Sequence, residues 1–156
     1  MTTRNQIIAE ARTWPGTRFH HQGRVKKTAT HNGGCDCIGL IVGVVKNLNI
    51  ESKIPGKFLH EFDNINYGRL PDGYLFRNAL AEQFIEISVE EIQPGDLLLF
   101  RFEKDPQHIA LVSNYEHGGL GLIHCYASSR KVIEHALDDT WKKRIVAAYK
   151  FYNLMD

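Results

Sequence analysis

A cysteine acts as a nucleophile through its thiolate, and the start of a helix is one of the places that favours that form. Cys37 follows Gly33-Gly34-Cys35-Asp36 and opens a run in which Ile38, Ile41, Val42, Val45 and Leu48 recur at helical intervals. Asp36 is a good N-cap type, and the glycine pair before it lets the chain turn sharply into the helix. The spacing therefore predicts a helix over 36–47 with Cys37 just inside its start. There, unpaired backbone N–H groups and the helix dipole lower a thiol pKa, and the same N–H groups can receive the oxyanion of a tetrahedral intermediate. Core cysteines are commonly structural, and position alone does not separate the two readings.

A thiol needs a base. His108 begins the apolar run His108-Ile-Ala-Leu-Val112, directly after the loop 103–107. A histidine at a strand end suits the rim of an active site better than a core, although an isolated histidine is more often structural. His124 follows Leu122 and Ile123 on the next predicted strand and can orient the base through its far nitrogen, the third-member role of a Cys-His-polar arrangement. Alternation then turns Cys125 to the opposite face. His60, His117 and His135 lie in loop or edge contexts and receive no role. Cys35 and Cys37, with His20, His21 or His31, offer acceptable zinc ligands. However, Cys-x-Cys is tighter than the usual structural spacing, and no second cysteine pair follows, so neither a metal nor another cofactor is expected.

The elements that must position these residues follow from the pattern. Ile7, Ile8, Ala11 and Trp14 have helical spacing and stop at Pro15-Gly16. The middle, 51–72, reads as loop, with Pro55-Gly56 and Pro71-Asp72-Gly73 as breakers, and 74–84 as a short helix. Strands are predicted over 96–102, 109–114, 121–126, 131–135 and 145–151, separated by Gln93-Pro94-Gly95, Asp105-Pro106, His117-Gly118-Gly119 and Ser128-Ser129. Short connections favour antiparallel hairpins, and helices first with strands later indicate an α+β fold, the long helix laid on an antiparallel sheet.

With 156 residues, 43% hydrophobic and 24% charged, the chain fits a single domain over 1–156, long enough to enclose a core. Its formal charge of +1 gives no global reason to expect nucleic acid as a partner. Locally, Arg18, Arg24, Lys26, Lys27 and three histidines fall between Arg18 and His31 with no acid among them. That pattern reads as a solvated basic loop or as a rim for an anionic polymer. The polar opening Met1-Thr2-Thr3-Arg4-Asn5-Gln6 lacks the apolar core of a secretory signal, and no stretch nears the roughly 20 apolar residues of a membrane span. Cytoplasmic synthesis is expected, with no membrane insertion.

Three motifs in order resemble the NlpC family of cell-wall cysteine endopeptidases: Gly34-Cys-Asp36-Cys37-Ile-Gly39-Leu40, then Gln93-Pro-Gly95-Asp96-Leu-Leu-Leu-Phe100, then His108-Ile-Ala-Leu-Val. The likeness runs from about Trp14 to Phe151 and implies a papain-like α+β fold. By resemblance Cys37, not Cys35, is the nucleophile, His108 the base, and His124 the polar third residue. Asp36 would contact the free amine or a polar group of a peptidoglycan stem peptide. The implied reaction hydrolyses the amide between D-γ-glutamate and a diamino acid. Phe19 stands where the family usually has a tyrosine near the nucleophile and substrate, and Ile38 stands where many relatives have serine, so two hydroxyls are missing. His20-His21-Gln22-Gly23 is similar to the branch encoded with phage and gene-transfer tail genes, which implies phage-like tail proteins as partners and carriage to the wall in a particle. The alternatives are an amidase or acyltransferase of the same fold, or a catalytically inactive tail component.

Overall fold

The computed structural model describes residues 1–65, 67–68 and 73–156. The breaker residues Pro71 and Asp72 lie outside the described residues. Helix α1 (Arg4–Ala11) begins at Thr3, whose hydroxyl accepts from the Gln6 amide while Gln6 accepts from the Thr3 amide. Two short strands, β1 (Arg24–Val25) and β2 (Gly34–Cys35), pair antiparallel just before α2 (Cys37–Asn47). Helix α3 (Gly73–Gln83) leads into β3 (Ile85–Ile87). Then come β4 (Leu97–Arg101), β5 (Pro106–Asn114), β6 (Leu120–Cys125), β7 (Val132–Ala136), the short α4 (Asp139–Lys142) and β8 (Ile145–Lys150).

The main sheet is antiparallel with strand order β3-β8-β4-β5-β6-β7. Strands β4 to β7 form the meander that the short loops predict. The last strand then returns to the far side of β4, and β3, too short to announce itself in sequence, completes the edge.

Alternation divides the strand residues between two cores. Leu97, Leu99, Ile109, Leu111, Ile123, Cys125 and Tyr149 face α1 and α2, where Ile7, Trp14, Leu40, Ile41, Val44 and Val45 meet them. Leu98, Phe100, Ala110, Val112, Leu122 and Ala148 face the other way and pack with Leu137 and Trp141. This is an α+β fold with the predicted nucleophile helix laid on an antiparallel sheet, as expected from sequence. The helix lies very close to its neighbours. A Cβ on Gly43 would sit 2.1 Å from the Trp14 ring, so only glycine lets α2 and that indole share the space.

Candidate active site

The site is built at the N-terminus of α2. Asp36 caps the helix, its Oδ1 accepting from the Gly39 amide at 2.8 Å. A Cβ on Gly39 would fall 1.9 Å from the Gly23 carbonyl oxygen, so glycine here lets the helix start press against the segment entering β1. The Asp36 carboxylate takes three further donors: Arg24 Nη1 at 3.2 Å on Oδ1, the Gln22 amide at 2.9 Å on Oδ2, and the Tyr67 hydroxyl on Oδ2. Arg24 in turn reaches both oxygens of Asp63, at 3.0 and 3.1 Å. Its guanidinium pKa is raised because Asp63, Tyr67 and Asp36 outweigh the burial that lowers it. Both carboxylate oxygens of Asp36 are thus engaged by the protein itself. Tyr67 is a site residue that sequence patterning did not single out, since it lies in an irregular stretch far from any motif, whereas Gln22 belongs to the His20-His21-Gln22-Gly23 motif, which gives no sign of a role at Asp36.

Cys37, the first residue of α2, is half-buried and packs against the core cluster that contains Ile109. Strand β5 loses one of its two neighbours beside Ile109. Val112 donates to Asp96 on the β4 side at 2.8 Å, so the alternate residues Ile109 and Leu111 turn their amides toward β6. The β5–β6 ladder ends at Leu111 paired with Ile123, so Ile109 pairs with Leu99 on β4 but not with β6. The backbone amides of Ile109 and Ile38 favour the Cys37 thiolate, yet burial first and the Asp36 carboxylate second outweigh them and push the thiol up to about 12. The lowered thiol pKa expected at this helix start is therefore reversed: an acidic N-cap and burial overcome the helix dipole.

Three imidazoles from β5, β6 and β7 form a connected line. His108 Nε2 lies 2.7 Å from His124 Nδ1, and His124 Nε2 lies 2.7 Å from His135 Nε2. His135 ends the line by donating from Nδ1 to the Ala136 carbonyl at 2.8 Å. Rings of Phe100, Phe102, Tyr126 and Trp141 surround His108, their centroids 5.5–6.1 Å from its own. This burial, with a smaller contribution from His135, lowers the His108 pKa to about 3. His124, fully buried, is lowered further, by burial first and then by its two histidine neighbours.

Of the residues singled out from sequence, His108 and His124 are in direct contact, and Cys37 packs against the core cluster that contains Ile109, the residue after His108. Among the described residues no hydrogen bond joins the Cys37 sulfur to the His108 ring. Phe19 bridges Cys35 in parallel and packs against the same core cluster as Cys37. Cys125 does face away from His124: it lies in the core on the α2 side, where its thiol donates to the Cys35 carbonyl at 3.3 Å. His135, assigned no role from its edge context, does lie half-buried on the edge strand β7, and its 2.7 Å contact with His124 joins it to the line. No three His, Cys, Asp or Glu side chains among the described residues are grouped to hold a metal ion. A cavity of about 420 Å³ is lined by Ile38 and Ile109, the residues that follow Cys37 and His108, together with Tyr67, Phe76 and neighbouring side chains. At rest Cys37 is a neutral thiol and His108 a neutral imidazole.

A family model described as the NlpC/P60 family matches residues 16–150. No curated protein sequence matches the chain. Among solved structures, the chain is similar to the NlpC/p60 domain of the peptidoglycan hydrolase SagA, at 19% identity and a TM-score of 0.62, covering 96% of this chain and 100% of that one. It is also similar to an NlpC/P60 family protein from Bacillus cereus ATCC 10987, at 16% identity and a TM-score of 0.63, covering 97% of this chain and 41% of that one. An N-acetylmuramoyl-L-alanine amidase from Bacteroides uniformis ATCC 8492 shares the fold at 9% identity and a TM-score of 0.55, with 94% and 96% covered.

Proposed function

From the premise that the chain belongs to the NlpC/P60 family, we propose that it is a cysteine peptidase acting on peptidoglycan stem peptides, hydrolysing the amide between D-γ-glutamate and a diamino acid. The observation that carries this reading is Cys37 at the first position of α2, capped by Asp36 and packed against the cluster that holds Ile109, with the His108–His124 pair beginning at the residue before Ile109. In the reaction the thiol loses its proton to His108 as sulfur attacks the substrate carbonyl. Backbone N–H groups at the start of α2 receive the developing oxyanion, each such donor being worth ~3–4 kcal/mol in acyl transfer. His108 returns the proton to the departing amine, leaving a thioester on Cys37. Water then attacks the thioester while His108 takes its proton, and thiol and acid are regenerated.

The cavity lined by Ile38, Ile109 and Tyr67 receives the acyl side of the substrate, with Asp36, bonded to the Tyr67 hydroxyl, and Phe19 as further substrate contacts. Because four donors already occupy Asp36, a substrate amine reaching it displaces Tyr67 or Arg24. The His20-His21-Gln22-Gly23 likeness supports a place in a phage-like tail, which would carry the enzyme to the wall.

Defined muropeptides digested by wild type, Cys37→Ala and His108→Ala, with fragments weighed by mass spectrometry, test this. The expected products come from the γ-glutamyl cut and disappear in both variants. Fragments split at the sugar–peptide junction would make the chain an amidase, and hydrolysis retained by Cys37→Ala would refute the mechanism.

A further inference from the structure

The line of imidazoles has a direction, and one carbonyl sets it. An oxygen of this kind only accepts, so the 2.8 Å contact with Ala136 places the proton of neutral His135 on Nδ1. His135 Nε2 is then a bare acceptor, and the 2.7 Å contact to His124 is made by the His124 Nε2–H. His124 Nδ1 is left as the acceptor, and the next 2.7 Å contact is made by the His108 Nε2–H. His108 ends with its Nδ1 unprotonated, the state a general base requires.

We propose that His135 is a positioning residue of this active site: anchored on the Ala136 carbonyl, it fixes the tautomer of His124 and through it that of His108. This rests on the reading of His108 as the base of Cys37. Without the anchor, two buried neutral rings satisfy their mutual hydrogen bond equally well with the polarity reversed. The reversed chain puts a proton on His108 Nδ1 and removes the lone pair that must accept from the thiol. With the anchor, reversal would set the bare Nδ1 of His135 against the Ala136 oxygen, two lone pairs facing each other. Other details favour a built device. His124 pairs with Ile133 and Leu122 with His135, which sets the two rings diagonally on one face of the β6–β7 ladder. Trp141 packs over all three, its centroid 5.8, 4.8 and 5.6 Å from those of His108, His124 and His135.

Long-range ¹H–¹⁵N correlation spectra of the intact chain read the tautomers directly, and kinetics on a γ-glutamyl muropeptide read the consequence. In wild type, His135 should carry its proton on Nδ1, and His124 and His108 on Nε2. His135→Phe, which fills the space without accepting, should leave His108 and His124 in mixed tautomers and lower kcat by roughly 10–100-fold at little changed KM, as loss of an outer orienting partner does elsewhere. His135→Gln, whose side-chain carbonyl can accept from His124, should restore the single tautomer and most of kcat, which a merely structural role would not predict. A His108 proton on Nδ1 in wild type, or wild-type tautomers and kcat in His135→Phe, would overturn the proposal. Hydrolysis surviving in His108→Ala would instead overturn the base assignment, while the spectra would still report whether His135 sets the tautomers.

Discussion

Four donors converge on the Asp36 carboxylate, and the thiol beside it feels the charge they hold in place. Burial and that charge raise the Cys37 pKa, while amides of Ile109 and Ile38 work against them. With the thiol at about 12, its thiolate fraction grows about tenfold for each pH unit across the neutral and mildly alkaline range. Iodoacetamide should accordingly label Cys37 at a rate that climbs steadily from pH 7 to 9 without a plateau. Cys125 should react more slowly throughout, being fully buried. Asp36→Asn keeps a capping side chain but removes the charge, so it should speed labelling of Cys37 at any fixed pH. A plateau near neutrality, read by mass spectrometry of timed samples, would mean a stable thiolate–imidazolium pair instead. This chemistry was partly legible in the sequence. Cys37, His108 and His124 stand at element ends in a recognisable order, whereas the opposing effects on the thiol come from three-dimensional neighbours. His135 was illegible for a related reason: its partner is set by the register of β6 against β7, and no local pattern encodes a register.

At the scale of elements, the nucleophile depends on how closely α2 can lie against what surrounds it. Gly39 admits the Gly23 carbonyl and Gly43 admits the Trp14 ring, both nearer than any Cβ would allow. In an exposed helix, replacing glycine by alanine gains about 1 kcal/mol from propensity alone. In Gly43→Ala the added methyl instead meets buried Trp14 and displaces either the indole or the helix, and overpacking of this kind costs ~1–3 kcal/mol. The variant should therefore be destabilised, with a lower urea midpoint and an unchanged slope; a rise in midpoint would show that α2 does not rest on Trp14. The α2 boundaries and the meander were readable because periodicity and turn residues are local signals. The place of β8 between β3 and β4 was not, since pairing at long range depends on which edge is free once the meander has formed, and the three-residue β3 carries too little pattern to see.

For the whole molecule, one of the contacts that tie the first helix to the sheet is an ion pair at the turn into β4. Asp96, fully buried at the turn into β4, accepts from Arg4 Nη1 on one oxygen and from the Gln93 amide on the other. Arg4 also donates to the Pro94 carbonyl, at 3.2 Å, so the first turn of α1 is bound to the turn from which β4 starts. Strand β4 in turn pairs with β5, whose His108 lies opposite Phe100. A buried pair of this kind need not add net stability over apolar residues, but removing one partner strands the other's charge and costs about 3–5 kcal/mol. Arg4→Met should therefore lower the unfolding free energy by about that amount, and so should Asp96→Leu. The double variant should lose much less than the sum of the two, because no charge is left behind. Denaturant unfolding of the four proteins supplies the cycle, and simple additivity would show that the two groups do not depend on each other. None of the Asp96 partners is a candidate catalytic residue, so kcat per folded molecule should hold in all four proteins even as the folded fraction falls. Stability and catalysis would then separate along the sheet, with the ion pair securing β4 at one end and the histidine line operating where β5 and β6 part.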